Sequence, residues 1–94
     1  LNYVNQLRAR SGIANEAGPL TLDKILDERA RELYWEGHRR TDLIRHGKFT
    51  GGSYVWPWKG GDSSGVSVPD YLNLYPLPAS DLVANPNLRQ NTGY

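Results

Sequence analysis

A loss of hydrophobic periodicity at Gly47 is the feature that most constrains how this chain can fold. Before Gly47, apolar residues recur at spacings of three and four, which is the period of an amphipathic α-helix. After it, glycine, serine, proline and aromatic residues follow one another without a period, and this composition favours loops. The sequence therefore predicts an all-α fold in which helices are followed by a long irregular C-terminal segment.

The first half of the chain contains three predicted helices, at about residues 1–11, 22–36 and 38–46. The second begins after Thr21, whose hydroxyl can accept a hydrogen bond from a free amide of the first turn. The third ends at Gly47, because glycine readily adopts the left-handed conformation that closes many helices.

Residues 47–94 are predicted to be irregular, with a short helical turn near residues 80–84. The apolar stripes of the three helices are short, and so long an irregular segment adds ordering cost and little burial. The chain also begins at Leu1 within a helical pattern and contains no methionine. We therefore expect residues 1–94 to be a fragment of a larger protein, packed against the remainder of its own chain.

The bulk composition excludes several classes of function. Eleven basic residues against ten acidic ones give a net charge of +1, which argues against the basic face of a nucleic-acid-binding protein. The absence of cysteine excludes disulfides and thiolate metal sites within these residues. No apolar run reaches the roughly 18 residues that a transmembrane helix requires.

The stretch "ELYWEGHRRTDL" at residues 32–43 carries the densest charge and admits several chemical interpretations. As an enzyme site, Glu32 and Glu36 would be the two carboxylates that a carbohydrate hydrolase requires. They stand four residues apart, on one face of the predicted helix. Neighbouring arginines would keep both carboxylates ionised, however, and leave no general acid with a raised pKa.

A metal site is the second interpretation, since His38, Asp42 and His46 follow one another at helical spacing. The surrounding arginines would repel a cation, so we expect no metal. A phosphate site is the third interpretation, and its basic residues would be Arg39, Arg40, Arg45 and Lys48. Acids of the same segment can pair with these residues instead.

A structural network is the interpretation that we favour. Arginine guanidinium groups suit bidentate pairing with carboxylates, so acids and arginines beside an apolar face can lock two helices together. We expect no catalytic residue and no cofactor in this block. The predicted network consists of Glu28, Arg29, Glu32, Glu36, Arg39 and Asp42.

The aromatic segment "SYVWPWKGG" is the other candidate site. Tyr54, Trp56 and Trp58 offer ring faces on which the apolar face of a sugar can stack. Trp56 and Trp58 are two residues apart, which on an extended segment places them on similar sides. The alternative is that these rings anchor the loop to the helices.

Three blocks of the sequence together resemble the C-terminal part of the SusD/RagB family. They are "ERARELYWEGHRRTDLIRHGK" at residues 28–48, "YPLPAS" at 75–80 and "NPNLRQNTGY" at 85–94. The order and spacing of the blocks are specific, and the resemblance covers almost the whole chain.

The resemblance implies properties that the residues alone do not show. SusD-like proteins are α-helical, with tetratricopeptide-like helix pairs, and are lipoproteins on the outer face of the outer membrane. They bind glycans or other nutrients without cleaving them, and they cover a SusC-like TonB-dependent transporter. The family's ligand residues lie largely outside the part represented here.

Overall fold

A computed structural model describes all 94 residues and divides them into two compact units. We name Leu1–His46 the helical unit and Gly47–Tyr94 the irregular unit. Regular structure consists of four α-helices and two short 3₁₀ turns, and an isolated bridge is the only β pairing. The predicted all-α fold is confirmed. None of the helices combines the length and the apolar character needed to cross a bilayer.

The helical unit contains α1 (Asn2–Arg10), α2 (Leu22–Glu32) and α3 (Arg39–Arg45). Its buried apolar residues are Leu26 on α2 and Leu43 on α3, which are 1% and 3% exposed. Two buried leucines make a small apolar core, so polar contacts between helices carry much of the organisation of this unit.

The start of α2 follows the prediction, whereas its end does not. Thr21 accepts a hydrogen bond at its Oγ1 from the amide of Lys24, at 3.2 Å. The helix then ends at Glu32 and not at residue 36. The reason is conformational, because Trp35 (φ 63°) and Gly37 (φ 75°) are left-handed and cannot continue a right-handed helix.

The irregular unit contains 3₁₀ turns at Lys59–Gly61 and Asp70–Asn73, and α4 at Ala79–Ala84. Gly51 and Val68 form the isolated bridge, in which the Gly51 amide donates to the Val68 carbonyl at 2.9 Å. Such sparse regular structure leaves many backbone groups without a ladder or helix partner.

Side-chain amides near the C-terminus supply part of the missing pairing. Gln90 accepts a hydrogen bond from the Leu77 amide at 2.8 Å and donates one to the Leu77 carbonyl at 3.0 Å. Asn91 donates from Nδ2 to the Tyr75 carbonyl at 2.7 Å. The two amide side chains therefore pair with the "YPLP" segment much as a neighbouring strand would.

The last two residues extend this arrangement. The hydroxyl of Tyr94 donates to the carbonyl of Leu74 at 2.6 Å, and its ring meets that of Tyr71 edge to face, with centroids 4.9 Å apart. Gly93 (φ 102°) lies so close to Tyr71 that an added Cβ would be 2.4 Å from Cγ of that ring. Glycine is required at position 93 both by space and by conformation.

Candidate functional site

The charged block contains an ion pair between helices in which the carboxylate is buried and the arginine is partly exposed. Nε of Arg29 on α2 donates to Oδ2 of Asp42 on α3 at 2.8 Å, and the Asp42 side chain is only 5% exposed. The hydrogen bond from Arg29 is the main cause that lowers the pKa of Asp42, and the charges of Arg29, Arg45 and His38 act in the same direction. Asp42 is therefore held as a carboxylate that ties α3 to α2.

A second contact joins the same two helices. Nη1 of Arg39 on α3 donates to the carbonyl of Leu26 at 3.1 Å. Leu26 is the most buried apolar residue of the chain, so the guanidinium satisfies a backbone acceptor at the centre of the unit. Arg39 and Asp42 thus both connect α3 to α2, one through a backbone carbonyl and one through a guanidinium.

The carboxylates of Glu28 and Glu32 point to a different helix. Oε2 of Glu28 accepts from Arg8 of α1 at 3.0 Å and from Arg31 at 2.8 Å. Glu32 forms an ion pair with Arg10 of α1. The predicted network does not contain Arg8 or Arg10 of α1. Nothing in the sequence of the loop after α1 indicates which face of α2 the helix α1 contacts.

Glu36 does not join these contacts, which corrects the predicted network. It is exposed, and its carboxylate takes part in none of the ion pairs. The prediction assumed that α2 continues to residue 36, which would place Glu36 one turn beyond Glu32. Since α2 ends at Glu32, the two side chains do not share a helical face.

The positions of these side chains favour neither the hydrolase interpretation nor the metal-site interpretation. Glu32 is paired with Arg10, and Glu36 follows a turn and is exposed, so the two carboxylates do not line one helix face. No three histidine, aspartate or glutamate side chains are placed together to hold a metal ion. The carboxylate of Asp42, the acid between His38 and His46, forms its ion pair with Arg29.

A wide cavity of about 740 Å³ opens beside the turn between α2 and α3. Tyr34 and Trp35 line it, are 75% and 88% exposed, and meet edge to face with centroids 6.2 Å apart. Leu33, Arg39 and Arg40 line the same cavity. Tyr34 continues the apolar spacing of α2 and would lie on its buried face if the helix ran to residue 36. Because α2 ends at Glu32, Tyr34 is exposed instead.

The central residue of the aromatic segment is a buried lysine, Lys59. Lys59 is 2% exposed, and its Nζ donates to the carbonyl of Tyr54 at 2.5 Å and approaches that of Gly51 at 3.4 Å. The same ammonium lies 4.6 Å from the centroid of the Trp56 ring. Lysine is rarely buried, which is why neither composition nor pattern indicated this role.

Tyr54 and Trp56 are packed around this lysine. Their rings lie 5.7 Å apart at a tilted angle, and both residues are partly buried. The ammonium of Lys48 lies 5.1 Å from the Tyr54 ring on the same segment. These two aromatic residues therefore serve the packing of the loop, with one ring held by Lys48 and the other by Lys59.

Trp58 is different, being 69% exposed. The amide of Lys59 donates to the carbonyl of Trp56 at 3.0 Å, which closes a β-turn with Pro57 and Trp58 at its centre. Trp58 has φ 71° and ψ 3°, the values of the third residue of a type II turn. Because of this turn, the segment is not extended between Trp56 and Trp58, and the expectation that the two rings share a side does not apply.

Comparison with known proteins connects these features to one family. The sequence profile of the SusD family matches residues 1–94. The starch-binding protein SusD of Bacteroides thetaiotaomicron is 47% identical over 91 residues, which are 97% of this chain and 16% of that protein. The chain thus spans about one sixth of the length of this relative. With the family match over its whole length and this level of identity, the chain belongs to the SusD family.

Proposed function

We propose that the protein to which this chain belongs binds nutrient glycans at the cell surface without cleaving them. The match to the SusD family over residues 1–94 carries the proposal, together with the similarity to a protein named for starch binding. A starch-type α-glucan is accordingly the first ligand to test.

The geometry of the carboxylates supports binding over hydrolysis. A glycoside hydrolase needs two carboxyl groups on either side of the scissile bond, one of them protonated. Here Glu28, Glu32 and Asp42 are each paired with arginine, and the hydrogen bond from Arg29 lowers the pKa of Asp42. Their contacts join helices, and a side chain committed to such a contact is not available to a substrate.

We extend the proposal to the cellular location and the protein partner that the family implies. The protein would be a lipoprotein on the outer face of the outer membrane, and it would deliver its ligand to a SusC-like TonB-dependent transporter. In this arrangement, the charged block of the helical unit is a structural corner of the binding protein, and the remainder of the chain supplies most ligand contacts.

Titration of the full-length protein with maltoheptaose, by calorimetry, tests the binding proposal. We expect saturable binding and, after long incubation, no shortened products. Products that appear with the wild type and vanish in Glu36→Gln would favour the hydrolase instead. A failure to bind maltoheptaose, cellohexaose, xylohexaose and mannohexaose would contradict the proposal of glycan binding.

Co-purification tests the proposed partner. The full-length protein, extracted from outer membranes with a mild detergent, is expected to retain a TonB-dependent transporter in about equal amount. Isolation of the protein from the soluble fraction, with no transporter bound, would contradict the proposed location and the proposed partnership together.

A further inference from the structure

A tryptophan occupies a backbone position that ordinarily belongs to glycine. The third residue of a type II turn needs a positive φ, which glycine adopts without steric cost and asparagine tolerates. Trp58 holds this position with φ 71°, directly after Pro57, which suits the second position of the same turn. Strain of this kind persists only where the surrounding structure enforces it, and it is frequent at ligand sites.

The surrounding contacts explain how the strain is sustained. The buried ammonium of Lys59 is bound to the carbonyls of Tyr54 and Gly51 and lies over Trp56, so the residues on both sides of the turn are fixed. Gly60 (φ 68°) follows in the 3₁₀ turn, where an added Cβ would lie 2.5 Å from Cγ2 of Val66. The turn is therefore rigid on its C-terminal side as well.

Within residues 1–94, the Trp58 ring makes few packing contacts that could offset this strain. It is 69% exposed, whereas Trp56, two residues earlier, is partly buried against Lys59. An aromatic residue with a packing role buries its ring, as Trp56 does. Within residues 1–94, this exposed indole on a fixed turn has the form of a preorganised stacking surface, because little ordering cost remains to be met on binding.

We infer that Trp58 is a carbohydrate contact, on which the apolar face of one pyranose ring of the ligand stacks. This inference rests on the proposed glycan binding and assigns different roles to two tryptophans of one segment. Trp58 contacts the ligand, and Trp56 belongs to the framework that holds Trp58 in place.

Trp35 shares two of these features, because it is 88% exposed and has φ 63°, in a turn that the Glu36 amide closes on the Leu33 carbonyl at 3.1 Å. What distinguishes Trp58 is the neighbouring buried lysine, whose ammonium binds carbonyls beside the turn. The Trp35 ring instead meets Tyr34 edge to face and lines a broad cavity.

Two substitutions at position 58 in the full-length protein separate a binding role from a packing role. Trp58→Asn removes the ring and relieves the strain, since asparagine tolerates a positive φ. We expect maltoheptaose to bind about tenfold more weakly, while the melting temperature stays unchanged or rises. Trp58→Phe keeps an aromatic face and should retain most of the affinity. Val83→Asn, at an 86% exposed position of α4, is the matched surface control and should change neither quantity.

Each outcome of this experiment has a defined meaning. Wild-type affinity in Trp58→Asn would overturn the inference and leave the proposed function intact. A lower melting temperature in Trp58→Asn, together with unchanged affinity of the folded fraction, would show that the ring packs against other parts of the protein and would also overturn it. Absence of binding by the wild type to all four oligosaccharides named above would overturn both the proposed function and this inference.

Discussion

The helical unit and the irregular unit are both held together by polar contacts, but ion pairs between helices characterise the helical unit. In Leu1–His46, charged side chains of one helix pair with charged side chains of another, as in Arg29–Asp42 and Arg8–Glu28. In Gly47–Tyr94, side chains bind backbone groups, as Gln90 does with Leu77. The difference follows from the backbone: helices satisfy their own amides and carbonyls, whereas an irregular chain must find other partners for them.

The comparison teaches which substitutions each unit can tolerate. A helical unit with few buried apolar residues depends on a small number of charge pairs, and it should be sensitive to loss of a buried partner. The irregular unit depends on the buried ammonium of Lys59, on the neutral amides of Gln90 and Asn91, and on close contacts at glycine. It should be sensitive to changes of shape, and the contacts of Gln90 and Asn91 should be indifferent to pH.

The largest effect is expected from Arg29→Ala, which leaves Asp42 buried without its partner. Because an unpaired buried carboxylate is costly, the free energy of opening of α2 and α3 should fall by about 3 kcal/mol. Hydrogen exchange of the amides in both helices measures this change in the full-length protein. Arg31→Ala is the control and should cost about 0.5 kcal/mol, because it removes a largely exposed guanidinium from Glu28, which keeps its pair with Arg8. Equal effects of the two substitutions would mean that loss of the arginine partner of the buried Asp42 carboxylate carries no extra cost.

A somewhat smaller effect, confined to the irregular unit, is expected from Gly93→Ala. The new Cβ would meet the Tyr71 ring at 2.4 Å in a residue with φ 102°, so the free energy of unfolding should drop by about 2 kcal/mol. Gly52→Ala is the matched control, since its Cβ would lie 3.9 Å from the nearest atom, and it should be nearly neutral. Thermal unfolding of the two variants checks the difference, and similar melting temperatures would contradict the packing of Tyr71 on Gly93.

Replacement of Gln90 tests whether neutral side chains stand in for a strand partner. Gln90→Ala removes both hydrogen bonds to Leu77, and about 1–2 kcal/mol should be lost from the local stability of residues 74–78. Gln90→Glu keeps the shape and the acceptor but not the donor to the Leu77 carbonyl, so its effect should be intermediate. Exchange of the Leu77 amide is the readout. Unchanged protection of the Leu77 amide in both variants would contradict the proposed role of Gln90 in holding this segment.

The smallest and most gradual effect is expected from acid, which should lower amide protection in the helical unit and leave that of Leu77 in the irregular unit unchanged. The pKa of Asp42 is lowered in the folded state, mainly by the Arg29 hydrogen bond, relative to about 3.9 in the unfolded chain. The stability gained from this pair is therefore complete above the unfolded pKa and is lost as the pH falls through the folded pKa. Protection of the α2 and α3 amides, corrected for intrinsic exchange, should decline below about pH 4. The Leu77 amide, bound to a neutral side chain, should not follow it. A parallel decline of both would contradict the distinction.

The sequence predicts the helices well where periodicity and backbone agree. The bounds of α1 and α3 lie within about one residue of the pattern-based ones, and Thr21 caps α2 as expected. The end of α2 is missed because Leu33 and Tyr34 continue the apolar period past the last helical residue. Hydrophobic periodicity indicates which face of a helix is apolar, but it does not indicate that Trp35 adopts a left-handed backbone conformation.

The sequence predicts the members of the charged network better than their partners. Arg29 and Asp42 were both included, yet their pairing depends on the turn at residues 33–37. Lys59, Gln90 and Asn91 were missed because single polar residues without a period give no signal of what they bind. Such contacts depend on tertiary proximity, which local patterns do not contain.

A double-mutant cycle at Arg29 and Asp42, with ligand affinity measured on the same proteins, tests the central claim most directly. If the charged block is scaffold, Arg29→Ala, Asp42→Ala and the double variant should give a coupling energy of about 2 kcal/mol in stability. The affinity of the folded full-length protein for maltoheptaose should stay the same in all three variants. A coupling energy near zero, accompanied by loss of binding in either single variant, would contradict this and place the block in the ligand site.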